Sequence, residues 1–322
     1  MWVTSSTSNL LTPTAIALGN FDGIHLGHKQ VLQPILRLTS DNPALYPTVV
    51  TFTPHPQEFF TGETRQLLTP VSEKIQRLEP LGIQQLVRLP FDRELAALSP
   101  QAFVSDILIK QLQVKQISVG EDFRFGHKRS GTAEDLRKIA ANYGVSVHVT
   151  ALVEDKRGRG GEGERGGTLS SLRISSSLIR QCLADGNIKQ ANQMLGYCYS
   201  LIGKVIQGQQ LGRTIGFPTA NLEISPDKLL PRFGVYCVQI KRETGEIRQG
   251  VMNIGYRPTV EGQTPTVEVH LFDWSEDLYQ QTLTVELVEF LRPEQKFSSL
   301  DALKDQISQD CQLAKEIFDQ SP

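Results

Sequence analysis

The feature that most limits the fold is a change of hydrophobic texture partway along the chain. In the first part, short β-branched runs alternate with stretches of helical spacing. The runs 15–18, 48–52, 85–89, 116–119 and 145–149 read as strands. Between them Phe103, Ile107, Leu108 and Leu112, and then Leu136, Ile139 and Ala140, step at the period of a helix. This alternation predicts right-handed βαβ units on a mainly parallel sheet, with ligands outside the carboxyl ends of the strands. From about Tyr199 the strands 199–207, 234–241, 247–254, 265–272 and 282–290 follow one another without helices, separated by turns such as Thr244-Gly245 and Arg257-Pro258. That spacing predicts an antiparallel barrel or sandwich. An amphipathic helix through Leu300, Leu303, Ile307, Cys311, Ala314 and Phe318 closes the chain. A chain of 322 residues also exceeds the usual size of one core, so two domains are expected, 1–186 and 187–322.

Charge and cysteine usage narrow the function classes. Thirty-three Lys and Arg against 35 Asp and Glu give a net charge of −2, which argues against a polybasic protein for nucleic acid or membrane surfaces. No apolar run approaches the roughly 18 residues that span a bilayer. The first basic side chain is Lys29, unlike the charged start of a secretory signal. Cys182, Cys198, Cys237 and Cys311 lie far apart, fitting neither a disulfide framework nor a zinc cluster. A soluble protein of the reducing cytoplasm is the expectation; nothing in the sequence fixes an oligomeric state. Residues 157–167, RGRGGEGERGG, formally contain GxGxxG but lack the helix a dinucleotide fingerprint requires. Glu162 and Glu164 offset the arginines of this tract, so a surface-loop insertion is expected rather than an RNA-binding segment.

Two groups of residues carry chemistry. Immediately after the first strand come Gly19, Asn20, Phe21, Asp22, Gly23, Ile24, His25, Leu26, Gly27 and His28. A helix opening there offers unpaired amides and the positive end of its dipole, and the glycines let a large anion approach the backbone. Two imidazoles beside those amides can donate to phosphate oxygens as charge builds in a transition state. The second group is 208–221, with Gly212, Arg213, Gly216, Phe217, Pro218, Thr219, Ala220 and Asn221. It is not a Walker loop, because Gly203-Lys204 is followed by Val205. If this segment is extended, Thr219 and Asn221 share one face, where their oxygens suit Mg²⁺ with its retained waters and phosphate ligands.

The first constellation resembles the HIGH-type nucleotidyltransferases. With 51–56 (Thr-Phe-Thr-Pro-His-Pro), 120–126 (Gly-Glu-Asp-Phe-Arg-Phe-Gly) and 174–180 (Ile-Ser-Ser-Ser-Leu-Ile-Arg), it is similar to the adenylyltransferase module of the bacterial bifunctional riboflavin kinase/FAD synthetase family. The second resembles the GRxxGxPTAN signature of riboflavin kinases. It is joined by 234–236, 253–259, 267–273 and 291–294 in the family's order. The resemblance spans nearly the whole chain. It implies a Rossmann-like α/β nucleotidyltransferase followed by a six-stranded antiparallel β-barrel kinase domain with a C-terminal helix. The implied substrates are ATP, riboflavin and FMN, with Mg²⁺ at both reactions and no nucleic acid or membrane.

The resemblance also implies residue roles. His28 and His25 would stabilise the α-phosphate, Asp122 would lie near the nucleotide, and Ser176, Ser177 and Arg180 would hold the triphosphate. The family usually has Thr where Ser177 stands, and a hydroxyl is retained. Glu268 of the VExH segment would act as general base toward the ribityl 5′-hydroxyl. A carboxylate of ordinary pKa, about 4.3, is a weak base for an alcohol, so orientation would supply most of its effect. His270, on the same strand face, either orients Glu268 or pairs across the sheet. His127 and His148 are expected to be a loop and a structural residue, and the cysteines packing residues.

Overall fold

The computed structural model describes residues 1–155, 172–208, 212, 215–259 and 262–320. The tract 157–167 and Arg213 lie outside them. The chain divides into two compact units, 1–176 and 177–322.

In the first unit, β1 (Trp2–Thr4), β2 (Thr14–Leu18), β3 (Tyr46–Thr53), β4 (Gln85–Pro90) and β5 (Val114–Gly120) join β8 (Ser146–Thr150) in one six-stranded parallel sheet. The short pairs β6 (Arg124–Phe125) with β7 (Gly131–Thr132), and β9 (Glu154–Asp155) with β10 (Leu172–Arg173), are antiparallel. The order across the large sheet is β1-β4-β3-β2-β5-β8. From β2 the chain winds outward through β3 and β4, then returns to the other side of β2 to lay down β5 and β8. The reversal puts a crevice at the carboxyl ends of β2 and β5, the place where sheets of this kind bind ligands.

Alternation along each strand explains the two covered faces. Ile16, Leu18, Val50, Val87, Ile117 and Val119 pack with Phe103, Leu108 and Leu136 on one side. Ala15, Ala17, Val49 and Leu86 pack with Leu32, Ile35 and Leu78 on the other. The second face is covered by α1 (Leu26–Asp41) and α3 (Val71–Leu78), with the short α2 (Pro56–Thr61) between them in sequence. Buried on both sides, β2 is apolar at nearly every position, as a central parallel strand must be. Its one hydroxyl, on Thr14, donates to Leu112 O at 2.8 Å.

The second unit is a closed antiparallel barrel of β11 (Ser200–Ile206), β12 (Ala220–Ile224), β13 (Gly234–Arg242), β14 (Ile247–Thr259), β15 (Gly262–Leu271) and β16 (Thr282–Pro293), in the order β11-β12-β15-β14-β13-β16. The sixth strand, β12, is the one the spacing of apolar residues did not reveal. Leu201, Val205, Leu222, Val238, Met252, Val269 and Val285 are buried along the inside of the wall. The outer face carries Val235, Cys237 and Val251, which pack with Ala314 of the last helix, Leu300–Asp319.

Helices Ser176–Asp185 and Ile188–Leu195 belong with the barrel from Ser177 onward. Arg232 N donates to Leu183 O at 2.8 Å, and Asn192 Nδ2 donates to Leu287 O at 2.9 Å. The boundary expected after residue 186 therefore falls at the far end of the first of these helices. Its motif suggested the first unit, whereas its backbone contacts tie it to the second.

One ion pair fastens the last helix to the barrel wall. Arg292 donates from Nε to Asp310 Oδ1 at 2.9 Å and from Nη2 to Asp310 Oδ2 at 2.7 Å, with both side chains mostly buried. Such a two-pronged pair is costly to break from one side, because the remaining charge stays buried. Asp310→Ala is expected to destabilise the barrel unit by about 3 kcal/mol. The check is the urea unfolding midpoint followed by circular dichroism; an unchanged midpoint would show the pair to be solvated.

Candidate functional site

The turn from β2 into α1 is short and strained. Phe21, Gly23 and Ile24 all take positive φ, at 47°, 91° and 38°. For Phe and Ile this conformation costs free energy and persists only where neighbours enforce it. Four hydrogen bonds do so. Gly23 N donates to Thr69 Oγ1 at 2.9 Å, and Thr69 N donates to Asp22 Oδ1 at 3.1 Å. Ser176 Oγ donates to Asp22 O at 2.8 Å, and Lys74 Nζ donates to Asn20 O at 2.8 Å. Asp22 and Ser176, expected at the nucleotide, thus both commit a polar group to the shape of this loop.

His25 caps α1. Its Nδ1 accepts from His28 N at 3.2 Å, so Nδ1 bears the lone pair and Nε2 carries the proton. His55 caps α2 in the same way, Nδ1 accepting from Gln57 N at 3.0 Å. Its Nε2 lies 2.8 Å from the Asn20 amide Nδ2, which ties the start of the loop to α2. The His25 and His28 rings stack at 3.6 Å between centroids, inclined by 16°. Gly27 makes room for them, since a Cβ there would stand 3.1 Å from the His25 ring. His28 Nδ1 is buried and has no hydrogen-bond partner.

Burial sets the charge state of this cluster. It lowers the pKa of His25 to about 4, with Asp22 acting in the opposite direction. It holds His28 well below the ordinary imidazole range, and the charges of His25 and Lys74 push the same way. Lys74 is lowered to about 8, again first by burial, with Asp22 opposing and Arg88 assisting. Lys29 is lowered by burial and then by Arg77. Cationic side chains are therefore gathered around the loop, and the two imidazoles rest neutral.

Across the crevice Gly120 ends β5, and Asp122 forms an exposed ion pair with Arg173. Ser177 and Arg180 follow Ser176 in the first turns of its helix, beyond the division between the units. His127 Nδ1 donates to Ala96 O at 3.3 Å, and His148 lies on an exposed position of β8.

In the barrel, register builds a second constellation. Asn221 of β12 is paired with Glu268 of β15, and Glu268 with Asn253 of β14. Residues directly opposite in neighbouring strands share a face, so the three side chains form a lateral row on the outside of the wall. Their sequence neighbours Ala220, Leu222, Val267, Val269, Met252 and Ile254 face the interior and are buried. Residues before β12 fold back over this row. A Cβ on Gly208 would stand 2.1 Å from Asn221 Nδ2, and one on Gly212 would stand 3.4 Å from Thr219 Oγ1. Gly216 supplies a positive φ of 89° within the same turn. His270 Nδ1 lies 2.8 Å from Pro218 O, and since a carbonyl only accepts, the imidazole is the donor. His270 thus anchors the residue just before Thr219, a third arrangement beyond the two expected for it.

Thr219 and Asn221 offer hard oxygen donors beside a glycine-lined backbone, a set suited to a divalent cation that keeps several waters. Among the described residues no group of three His, Cys, Asp or Glu could hold a metal. Burial raises the thiols of Cys237 to about 12 and Cys311 to about 11, and raises Cys182 as well. Cys182, Cys237 and Cys311 are thus suited to packing rather than reaction. Sequence reasoning missed Thr69, Lys74 and Asn253. The first two sit in a stretch that reads only as the start of a helix, and Asn253 emerges from strand register alone.

A family model described as FAD synthetase matches residues 7–161, and one described as riboflavin kinase matches residues 195–318. A bifunctional riboflavin kinase/FMN adenylyltransferase of Haemophilus influenzae is 38% identical over 314 residues, 97% of each chain. That of Escherichia coli K12 is 41% identical over 308 residues, 94% of this chain and 92% of the relative. A crystal structure described as a macrolide-efflux protein from Streptococcus pneumoniae superposes with a TM-score of 0.84 at 29% identity, covering 99% of both chains. That likeness carries the architecture, while efflux belongs to the name of that protein. No described helix here is long and apolar enough to cross a membrane.

The lowered imidazoles make folding sensitive to acid. Between pH 6.5 and about 4 an unfolded chain takes up protons that folded His25 refuses, so stability falls as pH drops through that window. His25→Asn keeps a capping acceptor and removes this linkage. The variant is expected to lose less stability than the parent between pH 7 and pH 5, as read from urea midpoints at the two values. Equal losses would mean that His25 titrates normally.

Proposed function

We propose that this chain, which belongs to the bifunctional riboflavin kinase/FMN adenylyltransferase family, makes FMN at its barrel and FAD at its parallel-sheet unit. In the first reaction the ribityl 5′-hydroxyl attacks the γ-phosphorus of ATP, and ADP leaves as the Pγ–O bond breaks. In the second, a phosphate oxygen of FMN attacks the α-phosphorus of ATP, and pyrophosphate leaves. One observation carries the reading: both family models and the full-length relatives cover the same two units that bear the two constellations.

At the barrel, Glu268 orients the 5′-hydroxyl and receives its proton late in the transfer. Asn221 and Asn253, on either side of it in the register, support the carboxylate's position. Gly212, Arg213 and Gly216 serve the nucleotide. Enzymes of this kind generally use a divalent metal. Thr219 and Asn221 are the proposed ligands, and their oxygen chemistry favours Mg²⁺. Bound there, the ion would draw charge from the phosphate oxygens.

At the parallel sheet, Gly19 to Gly23 shape the phosphate loop, with Asn20, Phe21 and Asp22 fixed by the bonds described above. His25 presents Nε2–H, and His28 adds a second donor toward the α-phosphate. Asp122 lies on the nucleotide side of the crevice, and Ser177 and Arg180 are proposed to hold the triphosphate with Ser176. Both reactions depend chiefly on positioning and on charge stabilisation, because the substrates already supply the nucleophile and the leaving group.

Chromatography of products from riboflavin and Mg-ATP tests the assignment. Glu268→Gln is expected to slow FMN formation by ~10²–10⁴-fold while added FMN still becomes FAD. His28→Ala is expected to accumulate FMN, with FAD formation lowered by ~10²–10³-fold. A single substitution that stops both reactions in a folded protein would overturn the assignment of one chemistry to each unit.

A further inference from the structure

Lys74 is a buried lysine that neither family signature includes, and it sits directly under the phosphate loop. Only 8% of it is exposed, and its Nζ donates to Asn20 O at 2.8 Å. That one carbonyl is the hydrogen-bond partner shown for an ammonium with three donors. A buried ammonium so sparsely compensated is expensive to keep and gains most from an added anion. The groups facing it explain its setting. Asp22 on the loop favours its charge, Arg88 on β4 opposes it, and its own charge depresses His28 on α1. Glu73, its neighbour on α3, is buried as well, and His25 stacks on His28 beyond. His28 Nδ1, buried and unpartnered, adds a second polar atom in want of a ligand beside the same loop.

We propose that Lys74 is a positioning residue for adenylyl transfer: its ammonium holds Asn20 and places a fixed positive charge behind the histidines, toward the bound triphosphate. This rests on the adenylyltransferase reading of the same unit. Holding Asn20 O stabilises the left-handed path through Phe21 and so the aim of α1 at phosphate. The charge keeps His28 neutral until an anion arrives, and then joins it in attracting the triphosphate. Only a protonated lysine supplies that charge, although a neutral amine could still donate to Asn20 O. Since Lys74 is lowered to about 8, FAD formation should fall on the alkaline side near that pH, whereas an ordinary surface lysine would lose its proton far higher.

The test is the pH profile of kcat/KM for conversion of added FMN and Mg-ATP to FAD, with riboflavin phosphorylation by the same preparations as the control. Lys74→Met is expected to lower FAD formation at least 100-fold while leaving FMN formation within twofold. Lys74→Arg, whose charge persists, is expected to retain activity and shift the alkaline limb upward by more than one pH unit. A Met variant within threefold of the parent, or an Arg variant with the limb unmoved, overturns the proposal. If Lys74→Arg is inactive, the decision passes to Lys74→Ala with added ethylammonium: recovery above tenfold supports the role, and no recovery overturns it. A parent enzyme that forms no FAD at all would instead sink the adenylyltransferase reading.

Discussion

Residues 19–25 must take the chain from β2, buried on both faces, into α1 with its unpaired amides facing the crevice. That turn is the constraint on which the first unit depends. It can be made this short only with left-handed backbone at Phe21, Gly23 and Ile24, and such a path does not persist unaided. Thr69 and Lys74, from the segment leading into and through α3, supply bonds that hold it, and Ser176 supplies another. The helix covering one face of the sheet therefore also fixes the mouth of the crevice. Packing and loop geometry are one problem here: moving α3 would release the loop, and releasing the loop would turn the first amides of α1 away from the crevice.

The barrel solves the corresponding problem by register instead of strain. Closing six strands fixes which residues stand side by side around the wall. Asn221, Glu268 and Asn253 become neighbours although they come from three strands, and a slip of one residue in β15 would replace Glu268 with Val267 or Val269 on that face. The apolar residues that alternate with them are the reason no slip occurs, because the slip would expose Val267 and Val269 and bury a carboxylate. Hydrophobic patterning thus sets the position of the polar row with no contribution from the row itself. Gly208 then stands where any side chain would strike Asn221, and the His270 bond to Pro218 O holds the chain where it joins β12.

Much of this architecture is legible in the order of the amino acids alone. The runs at 15–18, 48–52 and 85–89 correspond to β2, β3 and β4 within two residues at each end, because parallel strands buried on both faces are continuous apolar segments. The glycines and histidines after β2 stand out because a strand-turn-helix junction leaves a compact local pattern. Ala220–Ile224 escapes the spacing of apolar residues, since its five residues follow a glycine-rich loop and include a charge, although the PTAN motif already suits an extended segment. Lys74 and Asn253 are hidden for a different reason. Their importance lies in what stands opposite them, Asn20 across 54 residues in one case and Glu268 across a strand pair in the other. Local spacing carries no trace of either.

The charge state of the first site follows from the same geometry. A chain with nearly balanced charge gathers His25, His28, Lys29 and Lys74 around one loop, and each is lowered from its ordinary pKa mainly by burial. Folding keeps the imidazoles neutral and so avoids burying several positive charges together. A polyphosphate entering the crevice reverses the balance, because each negative charge favours the protonated form of every neighbouring base. Phosphate binding at the proposed site would then be coupled to proton uptake by these bases. A rigid, fully charged cluster would bind phosphate as well but would destabilise the fold throughout; a cluster that gains charge on binding confines that cost to the complex that compensates it.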